Sequence, residues 1–146
     1  MTSDYKDLLS EFIAHGVEFL VVGAHALAAH GYTRATRDLD IWIRPSGANS
    51  VRAIAALKAF GAPLLDLTSD DLERPGIVFQ IGVEPIRIDI LTAIDGLEFE
   101  HAWKDRVQAE FVGLKVQVVS KHHLIQNKKA AGRKQDLVDI DNLQSD

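Results

Sequence analysis

Apolar residues recur along this chain with two distinct periods, and the alternation between them outlines the fold. Tyr5, Leu8, Leu9, Phe12 and Ile13 fall at i, i+3, i+4, i+7 and i+8, one stripe of a helix that Ser3 caps and Gly16 ends. Phe19-Leu20-Val21-Val22 is a continuous apolar run closed by Gly23 and reads as a buried strand. The alanine-rich segment from Ala24 to His30, closed by Gly31, predicts a short helix. Asp38-Leu39-Asp40-Ile41-Trp42-Ile43 then alternates strictly, a strand with Leu39, Ile41 and Ile43 turned inward and both aspartates on its other face. Val51, Ile54, Ala55 and Leu57 give a third helical stripe, set between Pro45-Ser46-Gly47 and the stop at Gly61 and Pro63.

Ile77 to Ile81 and Ile86 to Leu91 are β-rich arms joined by Gly82-Val83-Glu84-Pro85, the pattern of an antiparallel hairpin. The second arm alternates like the first aspartate strand, so Asp89 and Arg87 stand opposite Ile86, Ile88 and Ile90. Phe99 to Val107 predicts a short helix and Val116-Gln117-Val118 a last strand. Ser120 opens a helix that runs through Ala131 to Gly132, and Gln135 to Leu143 forms the final helix. No repeat or linker interrupts the pattern, so residues 1–146 are read as one α+β domain, a mixed twisted sheet flanked by helices.

Composition narrows the function classes. At 146 residues and 47% hydrophobic content, one core accounts for the chain. A net charge of −5 excludes a dedicated nucleic-acid coat, so a polyanionic partner must meet a local basic patch. The absence of cysteine excludes disulfides and thiolate metal sites. With neither an apolar leader nor an apolar run approaching ~18 residues, a cytoplasmic protein is expected.

Asp38, Asp40 and Asp89 carry the candidate chemistry. Carboxylates at i and i+2 on a strand lie on one face about 7 Å apart, and a third from a second strand completes a set of hard oxygen ligands for magnesium. The spacing alone carries nothing, because 14 aspartates in 146 residues yield Asp-x-Asp about 1.3 times by chance. A second copy, Asp139/Asp141, indeed occurs. Only the first sits on a strand shortly after a strand-glycine-helix turn. That turn offers free amides and a positive dipole end to an anion. It matches neither Gly-x-Gly-x-x-Gly nor a Gly-Lys-Ser/Thr loop, which excludes dinucleotide oxidoreductase and P-loop readings. The pairs His122/His123 and His25/His30 lack i, i+4 zinc spacing and are read as surface or cap histidines. Trp42 is read as strand-end packing, with base stacking as the alternative.

Gly23-Ala24-His25-Ala26-Leu27-Ala28-Ala29-His30-Gly31, followed by Arg34-Ala35-Thr36-Arg37-Asp38-Leu39-Asp40-Ile41, resembles the opening motif of minimal nucleotidyltransferases of the DNA-polymerase-β-like superfamily. Lys128-Lys129-Ala130-Ala131-Gly132-Arg133-Lys134-Gln135-Asp136-Leu137-Val138-Asp139 resembles the closing motif of a bacterial branch that includes abortive-infection-type toxins. The resemblance implies transfer of a nucleoside monophosphate from an NTP to a hydroxyl, with two magnesium ions, or manganese in their place, held by Asp38, Asp40 and Asp89. It implies phosphate contacts from the amides of Gly23 and Ala24 and from Lys128, with Arg133 and Asp136 orienting that lysine or pairing with each other. Arg34 and Thr36 would touch nucleotide or brace their loop. Ala24 departs from the family's second Gly or Ser and offers no hydroxyl. Acceptors open at this point are RNA such as tRNA, a small molecule or a protein. The alternatives are a non-catalytic nucleotide-binding module, such as half of a toxin and antitoxin pair, and a structural cation site.

Overall fold

The computed structural model describes residues 2–32, 38–82 and 87–144, with side chains from Asp4 onward. Strands β1 (Phe19–Val22), β2 (Asp38–Ile43), β3 (Val78–Ile81), β4 (Arg87–Leu91), β5 (Val107–Phe111) and β6 (Leu114–Val118) form one mixed sheet in the order β3-β4-β2-β1-β6-β5. Helices α1 (Thr2–Ala14), α2 (Gly23–Ala29), α3 (Gly47–Phe60), α4 (Ser69–Glu73), α5 (Phe99–Lys104), α6 (Lys121–Ala131) and α7 (Lys134–Gln144) complete the described chain. No described helix is long and apolar enough to cross a membrane.

The continuous apolar run of β1 follows from its central place, between β2 and β6, where all four of its residues are buried. On β2 the alternation resolves as expected: Leu39, Ile41 and Ile43 are fully buried, each contributing roughly 1.5–3 kcal/mol, while Asp38 and Asp40 stay half-buried on the opposite face. Phe12 of α1 meets Phe19 edge-on, ring centroids 5.6 Å apart, and ties the first helix to the sheet.

Strand directions decide where a site can form. β1 is antiparallel to β2 and parallel to β6, and β2 is parallel to β4. One end of the sheet therefore gathers the C-terminal ends of β1 and β6 with the N-terminal ends of β2 and β4. The opposite end is locked by buried Asn49, whose Oδ1 accepts from Glu18 N (2.7 Å) and whose Nδ2 donates to the carbonyls of Glu18 (3.0 Å) and Arg44 (2.9 Å).

The structure corrects three expectations. The helix expected over Phe99 to Val107 stops at Lys104, and Val107 opens β5. The last strand is thus the second arm of a β5–β6 hairpin and begins at Leu114. Helix α4, absent from the sequence reading, is held by a capping box in which Thr68 Oγ1 accepts from Asp71 N while Asp71 Oδ2 accepts from Thr68 N. The β3–β4 pairing is antiparallel as expected, though its connecting residues 83–86 lie outside the described ones.

Candidate active site

The carboxylates meet at the gathered end of the sheet. In the parallel β2–β4 pair, Asp40 faces Asp89 and Asp38 faces Arg87. Residues in register on neighbouring strands project to the same side, so four charged side chains share one patch. Arg87 stands among them, its Nη2 3.2 Å from Asp38 Oδ2 and its Nε 3.2 Å from Asp89 Oδ1. The alternation of β4 placed Arg87 on this face, but nothing in the spacing showed it bridging two of the aspartates.

Three anions in one half-buried patch repel. Burial, followed by the charges of Asp89 and Asp38, pushes Asp40 up to about 6, although Arg87 and Arg133 pull the other way. Asp89, 8% exposed, is also raised, mainly by burial, against the pull of the Arg87 guanidinium beside its Oδ1. The patch has the electrostatics of a cation site, and its donors are hard oxygens. It is not closed into a ligand set, however. Among the described residues no three His, Cys, Asp or Glu side chains form a group that could hold a metal ion as they stand.

Gly23 is fitted to this patch. Its φ is +70°, a backbone conformation that only glycine adopts freely, and a β-carbon there would lie 2.3 Å from Asp40 Oδ2. Glycine thus lets the end of β1 close against the carboxylate. Ala24 follows in the first turn of α2, which has no side-chain cap. Gly23→Ala should lower stability by about 2 kcal/mol, through both the left-handed φ and the displaced carboxylate, and any transfer activity at least tenfold. Urea titration beside a transfer assay checks both.

The closing motif departs from expectation at Lys128 and meets it in the pairing of Arg133 with Asp136. Lys128, placed at a phosphate by the resemblance, is buried, and its Nζ donates to Asp139 Oδ2 at 2.8 Å with Asp136 Oδ1 3.5 Å away. Asp136 in turn accepts from the backbone N and the Nε of Arg133. Burial would raise Asp136, but the Arg133 hydrogen bonds and the Lys128 charge outweigh it and hold the carboxyl below its usual range. Arg133 is largely exposed, and its charge is felt at Asp40. Of the cations on this hairpin, Arg133 is the one whose charge acts on Asp40. Arg34 and Thr36 lie outside the described residues.

Trp42 is buried against Phe99, 5.1 Å between centroids, which leaves it no face for a base. His30 Nε2 lies 2.8 Å from the Val119 carbonyl, and His123 packs on the cap of α6 with Nδ1 3.0 Å from Ser120 Oγ. His25 is half-buried, its ring packed edge-on against both Tyr5 and Phe111.

A mixed sheet with helices around it, two aspartates opening one strand and a third in register beside them, defines a nucleotidyltransferase fold. The chain belongs to the family described as nucleotidyl transferase of unknown function (DUF2204), whose model matches residues 1–145. Among solved structures it is similar to the lincosamide antibiotic adenylyltransferase LnuA in its lincomycin-bound form, at 15% identity and a TM-score of 0.63, covering 99% of this chain and 97% of that one. It is also similar to ANT(2'')-Ia in complex with adenylyl-2''-tobramycin, at 16% identity and 0.67, covering 99% and 87%. TM1012 of Thermotoga maritima matches at 15% and 0.61, covering 97% and 90%. No curated protein sequence matches the chain.

Proposed function

We propose that this nucleotidyl transferase moves a nucleoside monophosphate from a magnesium-bound NTP to a hydroxyl of a small molecule, with Asp38, Asp40 and Asp89 holding the metal. The observation that carries the reading is the in-register pair Asp40 and Asp89, with Asp38 two residues before Asp40, set against a glycine turn. Bound there, divalent ions would neutralise the triphosphate and polarise the reacting oxygens.

The chain's own groups divide the remaining work. The raised affinity of Asp40 for a proton reflects a charge waiting to be compensated, and Arg87 compensates part of it now. Arg87 must turn aside, or hold only one aspartate, for cations to enter. The first amides of α2, at Gly23 and Ala24, have no side-chain cap and support a phosphate contact. Arg133 is assigned to the outer phosphates, with Asp136 orienting it and Lys128 fixing Asp136. A small-molecule acceptor is favoured over RNA or protein because LnuA and ANT(2'')-Ia are described with antibiotics as their ligands. Neither of these neighbours lends support to a toxin and antitoxin pair.

A non-catalytic nucleotide-binding module is the second reading, favoured by Arg87 standing where a cation would enter and by Ala24 lacking a hydroxyl. The two separate in one experiment. With α-labelled ATP first, then the other NTPs, and with magnesium or manganese, the protein should label an acceptor from a panel of lincomycin, tobramycin, total RNA and total protein. Magnesium alone should raise the melting temperature at pH 7.5. Nucleotide-dependent stabilisation without label in any acceptor would sink the catalytic reading.

A further inference from the structure

Arg87 opens β4 with Asp38 as its Cα partner on β2, and it stands two residues before Asp89 on the same strand face. Its Nη2 lies 3.2 Å from Asp38 Oδ2 and its Nε 3.2 Å from Asp89 Oδ1, so one guanidinium spans carboxylates from two strands. We propose that Arg87 couples the metal to the nucleotide: it holds Asp38 and Asp89 against a free divalent ion and passes to a phosphate oxygen when the ion arrives bound to a triphosphate. The coupling rests on the metal assignment of the reading above, and it does not require that transfer follows.

Charge makes the exchange necessary. A guanidinium stays protonated in proteins, so Arg87 cannot yield its place by losing a proton. An ion that takes both carboxylates withdraws two anions from a side chain that is only 29% exposed, and it adds a second positive charge beside it. A free ion brings nothing to offset that. A triphosphate brings several anionic oxygens in the same event, and the planar fork that matches a carboxylate matches a phosphate as well. Arg87 therefore regains the anions it gave up when ion and nucleotide enter together, and not when the ion enters alone. That is a positive coupling between two ligands, and such coupling acts in both directions.

Arg133 is placed differently. Its charge acts on Asp40, but its Nε and backbone N donate to Asp136, which Lys128 holds in turn, and its side chain is 77% exposed. Water and salt screen a charge so exposed, whereas Arg87 lies at ion-pair distance from two of the ligands themselves. Arg133 is thus the natural comparison for Arg87.

Isothermal titration of the full chain at pH 7.5 tests this with two ligands. One is magnesium alone, and the other is magnesium bound to an ATP analogue whose α,β-bridging oxygen is a methylene, so that no transfer occurs; the GTP, CTP and UTP analogues follow. In Arg87→Gln free magnesium should bind at least tenfold more tightly than in the wild type, while the magnesium-bound analogue gains nothing. A residue that merely offset repulsion would, when removed, tighten both ligands alike. Arg87→Lys serves if the glutamine variant does not fold. It keeps the charge, but an ammonium lacks the fork that spans two carboxylates, and the ratio of the two affinities should fall at least fivefold. Unchanged free-magnesium affinity in every Arg87 variant that folds, equal tightening of both ligands, or the same tightening in Arg133→Gln would overturn the coupling. No magnesium bound by any variant, alone or with an analogue, would remove the metal assignment and the coupling together. Coupled binding in the wild type with no acceptor labelled would leave the coupling standing and remove the transfer alone.

Discussion

Asp40→Asn should abolish nucleotidyl transfer, by at least a thousandfold, and at the same time raise the stability of the protein at pH 7. The first half follows from the role assigned to Asp40, since an amide supplies neither the charge nor the second oxygen that would grip a cation. The second half follows from its affinity for protons. Asp40 takes up its proton at about 6 in the folded chain against 3.8 for the ordinary side chain, so the folded state binds more protons than the unfolded one between those values. Stability therefore falls as pH rises from about 4 to about 6 and stays low above, by roughly 3 kcal/mol. Asparagine mimics the protonated form and escapes that loss. Denaturant titrations at pH 4 and pH 7 should show the variant overtaking the wild type only at the higher pH. Magnesium should narrow the gap, because it relieves the same repulsion in the wild type alone. A variant less stable than wild type at pH 7 would mean that Asp40 is already well compensated by Arg87 and Arg133.

Lys128→Met is the second change with a large expected effect, this time on folding. Its Nζ is buried among Asp139 and Asp136, each only 1% exposed. Asp139 also accepts from Gln135 Nε2 at 3.0 Å, a neutral donor, and Asp136 retains Arg133. Removing one member of a buried ion pair leaves an uncompensated charge, a loss of about 3–5 kcal/mol. Adding Asp139→Leu should restore most of it, because deleting both partners removes the burial penalty as well as the attraction. The urea midpoints of the single and double variants check this. A phosphate ligand would instead leave stability nearly unchanged and cost activity alone.

How far the sequence spoke depended on local signals. The alternation of β2 and β4 was legible because one face is apolar and the other charged, and with it came the convergence of Asp38, Asp40 and Asp89. Gly23 was legible as a turn, but its contact with Asp40 depends on strand pairing that no local pattern encodes. Strand β5 stayed hidden because its hairpin turns through Val112 and Gly113, at φ of 48° and 81°, and valine is a residue that rarely marks such a turn. Helix α4 spans five residues, too few for a periodic stripe, although Thr68 and Asp71 carry its capping signature. The fate of Lys128 was hidden for another reason. Lysine is normally solvated, and only the packing of α6 on α7 shows its charge consumed inside the protein.

The close approach at Gly23 has a consequence for what this protein can become. Because Asp40 Oδ2 fills the space where a side chain at residue 23 would begin, the two positions form one steric unit in which neither can grow alone. Lengthening the acid to glutamate, though it keeps the charge, would drive its carboxylate out of register with Asp89. Drift toward other chemistries is therefore barred at this corner of the sheet, and room for a new substrate must come from the helices and hairpins around it.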